Sequence, residues 1–165
     1  MSVKCQVCKQ NEAVWAMQYV ASDVPSFTRL GSHYRGFHVT KVCDACREEY
    51  KHPHTFLICP VRGHDRTETE EIVARLEGEG WKVHWPPRDT RQDGDATGLR
   101  ICLDNRRAIT QAQHVHVIWD GKSEGCLFDL GMAFALGKTI HVISLPDATE
   151  GKSFQNMIRA WEAPF

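Results

Sequence analysis

From about His54 to the C-terminus, short apolar runs alternate with amphipathic ones. Thr55-Phe56-Leu57-Ile58-Cys59 has the length and composition of a strand buried on both faces. Pro60 to Arg66 is a turn containing Gly63. It leads into a helix, where Thr67 and Glu70 have capping-box spacing and Ile72, Val73 and Leu76 supply the buried face. Gly78 and Gly80 end that helix. Trp81 to Trp85 predicts a second strand and Pro86 to Gly98 a long polar loop. Leu99 to Ala112 has a helical apolar period through Ile101, Leu103, Ala108 and Ile109. His114 to Trp119 predicts a third strand, Asp120 to Gly125 a glycine-containing loop, and Cys126 to Leu136 an apolar helix. A strand over Lys138 to Ile143 and a helix over Ser153 to Glu162 complete the pattern. Strands that alternate with helices predict a parallel sheet with right-handed crossovers. The expected fold class is α/β, a flavodoxin-like or Rossmann-like sheet with flanking helices.

The pattern is different before residue 50. Ala13 to Val20 and Gly36 to Val42 have strand-like composition, and between and around them lie paired cysteines, glycines and mixed polar residues. Arg47 to His54 is polar, contains Pro53 and reads as a linker. Residues 1–50 are therefore expected to form a small module, and residues 54–165 the α/β domain.

Composition narrows the class. The chain has 165 residues, 42% hydrophobic and 25% charged, with a formal net charge of −1. That suits a globular protein with a real core and no general basic field. The first 50 residues lack a dense basic, aromatic-interleaved patch, so nucleic acid is not an expected partner. No apolar stretch approaches the roughly 20 residues needed to span a bilayer, and the N-terminus has no apolar leader segment. The expected location is cytoplasmic, with no membrane partner.

Seven cysteines are present. Four form two C-x-x-C pairs, Cys5 with Cys8 and Cys43 with Cys46. Each pair places two thiolates on one tight turn, and two such turns give the tetrahedral sulfur set that Zn2+ prefers. A structural, zinc-ribbon-like site is expected. Some 50 residues have little core of their own, so ligand bonds would carry much of their folding. Cys59, Cys102 and Cys126 read as small buried apolar residues.

Parallel α/β sheets bind ligands beyond the carboxyl ends of the strands, where the strand order reverses. That rule selects the loops after Cys59, Trp85 and Trp119. In the first, Arg62 and Arg66 carry charge, Gly63 permits close backbone approach, and the following helix N-terminus favours an anion. His64 lies there too, and His84 sits before the second loop. The loop from Arg88 to Arg91 reads as a solvated, mobile segment with the character of a lid. His114 and His116 share a strand face and read as packing residues. Trp85 and Trp119 read as core. Asp129 is the only charged residue between Glu124 and Lys138. A lone carboxylate in an apolar helix is costly if buried. It is expected to face the ligand crevice.

The run Ser123-x-Gly125-x-x-x-Asp129-Leu130-Gly131-x-Ala133-x-Ala135-x-Gly137-Lys138 resembles the signature of nucleoside 2-deoxyribosyltransferases and related nucleotide N-glycoside hydrolases. Phe56 to Gly63 is similar to that superfamily's opening strand and glycine turn. The resemblance covers about residues 55 to 145. It implies that Asp129, where the family usually has Glu, attacks the sugar C1′ as a nucleophile. Ser123, where the monophosphate hydrolases tend to have Ser, would bind a 5′-phosphate together with Arg62, and Gly63, His64 and Gly125 are further expected substrate-binding residues. A second family acid on the middle helix falls at Asp104 or Asn105. Helical neighbours point about 100° apart, so only one of them faces the site: Asp104 as general acid, or Asn105 as a substrate-binding residue. The resemblance also implies a homo-oligomer and no organic cofactor. The function so implied is N-glycoside hydrolysis or deoxyribosyl transfer on a nucleoside 5′-monophosphate or related nucleotide. The alternative is a non-catalytic nucleotide-binding sensor or adaptor with a zinc-stabilised partner-binding module.

Overall fold

The structure is a computed structural model, and it describes residues 6, 8, 10, 11, 13, 15–18, 26–29, 40–44, 52–63 and 65–162. The chain divides into two compact units, Met1–Pro53 and His54–Phe165.

In the first unit, β1 (Trp15–Gln18), β2 (Ser26–Arg29) and β3 (Thr40–Val42) form an antiparallel sheet of order β2-β1-β3. Strands at two of these places follow from the sequence pattern. β2 does not, because its four residues carry too little apolar signal to separate from a loop.

In the second unit, β4 (His54–Ile58), β5 (Lys82–His84), β6 (His114–Ile118) and β7 (Thr139–Ser144) form one sheet of order β5-β4-β6-β7. Every pairing in it is parallel. The helices are α1 (Arg66–Gly78), α2 (Pro86–Asp89), α3 (Leu99–Gln111), α4 (Glu124–Ala135) and α5 (Phe154–Glu162). The expected α/β parallel sheet with flanking helices is therefore present. The chain leaves β4 toward β5 and then crosses to the other side of β4 for β6. The strand order thus reverses between the carboxyl ends of β4 and β6.

The alternation of strand side chains divides the core into two layers. Phe56, Ile58, Val115, Val117 and Ile140 face Ile109 of α3, Cys126, Leu130 and Ala133 of α4, and Ile158 of α5. Leu57 and Val83 face Val73 and Leu76 of α1. β6 is buried along its whole length, as a central parallel strand should be. Trp85 and Trp119 are both core residues.

Two local expectations change. α1 begins before Thr67: Asp65 is its N-cap, and the Asp65 carboxylate accepts from the Thr67 N–H at 2.8 Å. An Asx cap at Asp65 satisfies an orphan amide as well as a threonine cap would. The loop after β5 is also tied down rather than solvated throughout. Pro86 at the first helical position starts α2. Arg88 bonds Glu77, Asp89 and the Val83 carbonyl. The Gln92 side chain donates to the carbonyls of Pro86 and Thr90. Thr90 is buried as a result.

His114 and His116 do pack, on the α1 side of the sheet near the strand starts. His114 Nδ1 lies 2.7 Å from His141 Nε2, and His116 Nδ1 lies 2.8 Å from Thr55 Oγ1. Trp81 sets its ring edge-on to both imidazoles. Burial, with His141, His114 and Arg75 nearby, pushes the His116 pKa down to about 4.

Candidate functional site

A cavity of about 740 Å3 opens between the carboxyl ends of β4 and β6. Its walls come from the β4–α1 loop (Cys59, Val61, Arg62, Gly63), the β6–α4 loop with the start of α4, and one face of α3. Pro86 and Gln92 add an edge from the loop after β5. This is the crevice that the strand-order rule selects.

α4 brings Asp129 to the cavity. Cys126, Asp129, Leu130 and Ala133 are its buried positions, at i, i+3, i+4 and i+7 along one stripe. Cys126, Leu130 and Ala133 join the core, while Cys126 and Asp129 line the cavity. Its residue is only 9% exposed. Asn105 Nδ2 donates to Asp129 Oδ2 at 3.1 Å. Burial raises the carboxyl's pKa from 3.8 to about 7, against the opposing effect of the Asn105 hydrogen bond. Near neutral pH the group exchanges between acid and carboxylate. A site that must generate or lose charge uses such a group.

α3 supplies Asn105, not Asp104. Ile101, Cys102 and Asn105 line the cavity, and Ile109 behind them is fully buried. Asp104 points along another face, where its carboxylate bonds Arg107 at 3.3 Å and pairs with Arg100 at 3.8 Å. The chain therefore places an amide beside Asp129, and the acid expected at one of these two positions lies on the ion-paired face.

Asn105 is itself held. Thr90 Oγ1 donates to Asn105 Oδ1 at 3.0 Å, and His84 Nε2 lies 3.0 Å from the same hydroxyl. The His84 ring stacks on Phe56 at 5.3 Å, with 12° between the planes. Thr90 and Asn105 are both buried.

The β6–α4 loop shapes the opposite wall. Asp120 accepts from the N–H groups of Lys122 and Ser123 at 2.9 and 2.8 Å, folding the loop back on itself. Gly121 makes this turn with φ +78, and a Cβ there would sit 2.9 Å from Pro146 Cγ. Ser123 caps α4, its hydroxyl oxygen accepting from the Cys126 N–H at 3.4 Å. Lys122, Glu124 and Gly125 line the same wall. Arg62 and Gly63 sit exposed at the mouth, Gly63 with φ +70.

Of the expected site residues, the fold therefore brings Arg62, Gly63, Asn105, Ser123, Gly125 and Asp129 to one cavity, and leaves Asp104 outside its lining. His64 lies outside the described residues. Cys59, Cys102 and Cys126 also line the cavity. Burial pushes the Cys59 thiol up to about 11 and that of Cys126 up to about 12. Both stay protonated at neutral pH and serve as apolar wall. Lys122, Gln92 and Thr90 were not singled out by motif reasoning; His84 was expected beside a ligand loop, and the structure joins it to Asn105 through Thr90. One signal was available for Asn105: it is the polar residue on a stripe otherwise made of Ile101, Cys102 and Ile109.

In the first unit, Cys8 and Cys43 come from different C-x-x-C pairs, and their sulfurs stand 3.9 Å apart. A disulfide would require about 2.05 Å. Two thiolates on one tetrahedral zinc, each about 2.3 Å from the metal, stand about 3.8 Å apart. Asn11 Nδ2 donates to the Cys43 sulfur at 3.6 Å. Cys5 and Cys46 lie outside the described residues, and among the described residues no group of three metal-ligating side chains converges.

No family model and no curated protein matches the chain. Among the solved structures similar to it are two enzymes. One is a CMP N-glycosidase from Clostridium botulinum, 21% identical with a TM-score of 0.42, the match covering 54% of this chain and 69% of that one. The other is a 2-deoxyribosyltransferase from Leishmania mexicana, 18% identical with a TM-score of 0.44, covering 55% of this chain and 63% of that one. The likeness is one of fold, and the chemistry of the cavity rests on its own residues. Among the described residues, no helix is long and apolar enough to cross a membrane.

Proposed function

We propose that the second unit is an N-glycosidase or deoxyribosyltransferase acting on a nucleoside 5′-monophosphate or related nucleotide. The observation that carries this reading is Asp129, a buried carboxyl facing a cavity at the sheet's switch point and titrating near neutrality. In its carboxylate form Asp129 attacks the sugar C1′, and the electron pair of the C–N bond leaves with the base. A glycosyl ester forms. Water, or a second base, then attacks C1′ and returns the carboxylate. Asn105 has no proton to give, so the leaving base takes one from water in the cavity. The phosphate sits against Arg62, Lys122, the Ser123 hydroxyl and the N-terminal amides of α4, an arrangement of cations and helix N-terminus suited to an oxyanion.

The first unit belongs to this reading as a structural zinc module, with Cys5, Cys8, Cys43 and Cys46 as ligands; the Cys8–Cys43 spacing supports it. A homo-oligomer belongs to it as well. Leu99 and Leu103 on α3, and Phe128 and Phe134 on α4, are large apolar side chains left exposed.

The test is incubation with a panel of nucleoside 5′-monophosphates and the matching free nucleosides, with free base measured by chromatography. Base release from a monophosphate, abolished in D129A, is the expected result. No base from any of them, with or without an added nucleobase acceptor, refutes the enzyme. Nucleotide-dependent thermal stabilisation without base release would identify the non-catalytic sensor instead.

A further inference from the structure

His84, Thr90, Asn105 and Asp129, the last two in the cavity wall, form a chain with a direction. Thr90 has one hydroxyl proton and gives it to Asn105 Oδ1. It therefore has none left for His84, and the 3.0 Å contact between the two requires His84 Nε2 to be the donor. Accepting at Oδ1 turns the Asn105 amide so that its N–H faces Asp129 Oδ2. Every proton in the chain then points toward the carboxyl group. Hydrogen bonds aligned in this way reinforce one another in a buried setting.

We propose that His84 and Thr90 are positioning residues for Asp129, acting through Asn105 to hold an N–H donor on its carboxylate. The proposal rests on the reading of Asp129 as nucleophile only for its consequence in catalysis; the chain itself is a matter of geometry. His84 is not among the residues that line the cavity, and its influence on Asp129 passes through Thr90 and Asn105. If His84 instead carries its proton on Nδ1, Nε2 becomes an acceptor and takes the Thr90 proton. Thr90 Oγ1 then has only lone pairs to offer, and the Asn105 amide turns its N–H to Thr90 and its carbonyl to Asp129. That arrangement repels a carboxylate and suits only the protonated acid.

The surroundings set which form prevails. Around Asp129 stand Asn105 from α3 and the thiols of Cys59 at the end of β4 and Cys126 on α4, with Arg62 and Lys122 elsewhere on the cavity wall; burial and the Asn105 hydrogen bond are what shift it. Around His84 stand Phe56 on β4, Asp89 and Arg88 of α2, and Asp104 of α3. Burial lowers the His84 pKa, with the two acids opposing and Arg88 adding to the effect. The ring is therefore mostly neutral at pH 7, and its tautomer decides the direction of the chain.

The experiment is NMR of the full chain without substrate. The Asp129 carboxyl carbon is followed through pH, and the His84 ring nitrogens report the tautomer. Wild-type protein above the Asp129 midpoint is expected to show the Nε2–H tautomer. T90V, which keeps shape and loses the hydroxyl, is expected to raise the midpoint by about one pH unit, roughly a tenfold loss of carboxylate below it. T90S is expected to restore it, which a purely packing role for Thr90 would not. An Nδ1–H tautomer in wild type, or an unmoved midpoint in T90V, overturns the proposal. Should T90V not fold, the wild-type tautomer alone decides. A shifted midpoint in a protein that releases no base would refute the glycosidase and leave the chain standing; base release with an unmoved midpoint would do the reverse.

Discussion

Two buried groups make stability respond to pH in opposite senses, and replacing one should expose the other. Asp129 titrates at about 7 in the folded protein against 3.8 unfolded. Between those values the folded state holds a proton that the unfolded state has released, so stability falls as pH rises. The gap is worth roughly 4 kcal/mol, fully present below pH 3.8 and gone above 7. His116 titrates at about 4 folded against 6.5 unfolded. There the unfolded state binds the extra proton, so stability rises with pH across that window, by roughly 3 kcal/mol. Over pH 4 to 6.5 the two slopes oppose each other, and the wild-type protein should be nearly flat from these groups. D129N removes one slope. It should match wild type at pH 4, gain on it steadily, and exceed it by roughly 4 kcal/mol at pH 8. Urea unfolding at pH 4, 5, 6, 7 and 8 measures this directly. An equal difference between D129N and wild type at every pH would refute the reasoning, because the carboxyl would then not be paying for its burial by holding a proton.

Other substitutions probe the walls of the cavity. G131A should stabilise the protein by about 0.5–1 kcal/mol, since a Cβ in the middle of α4 meets nothing within 4 Å; thermal unfolding checks it, and a loss of stability would mean the face of α4 is covered. G121A should destabilise by more than 1 kcal/mol, approximately, because φ is +78 and Pro146 Cγ lies 2.9 Å from the new carbon. R62A with K122A should weaken a monophosphate about tenfold or more while leaving the free nucleoside unchanged, read by calorimetric titration. Metal analysis of the purified chain should return one zinc, and chelation should lower the melting temperature.

Much of this site could be read from the residue pattern, and the parts that could not share a cause. The alternation of strands and helices placed the crevice because topology follows from connection rules and does not depend on element ends. Asp129 stood out because a charge on an oily helix is anomalous wherever the helix lies. The choice between Asp104 and Asn105 needed more. Both fit the motif by counting, and only the rotation of α3 tells which one faces inward. The charges were there to be used: Arg100 and Arg107 lie four before and three after Asp104, which marks its face as solvated. Thr90 was out of reach for a different reason. Thr90 lies in a loop rich in Asp, Arg and Gly, and its burial comes from contacts that α2, Gln92 and α3 make in three dimensions. No local pattern encodes those contacts.

The same burial explains why an amide, and not an acid, stands beside Asp129. Two carboxyl groups within hydrogen-bond reach in a low-dielectric pocket cannot both ionise, so one proton would be shared and the pair would titrate as a unit. An Asp at position 105 would push Asp129 further up, away from the carboxylate that a nucleophile needs. Asn105 does the opposite: its N–H opposes the effect of burial on Asp129. In the proposed reaction this arrangement would give up a built-in proton donor for the leaving base and keep a larger fraction of Asp129 as carboxylate at neutral pH. N105D tests this trade. It should raise the midpoint of the acidic limb in the rate profile by about one pH unit or more, with slower turnover at pH 7 and a smaller deficit at higher pH. If N105D instead turns over faster than wild type at pH 7, proton delivery to the base limits the reaction, and the advantage assigned to the amide is wrong.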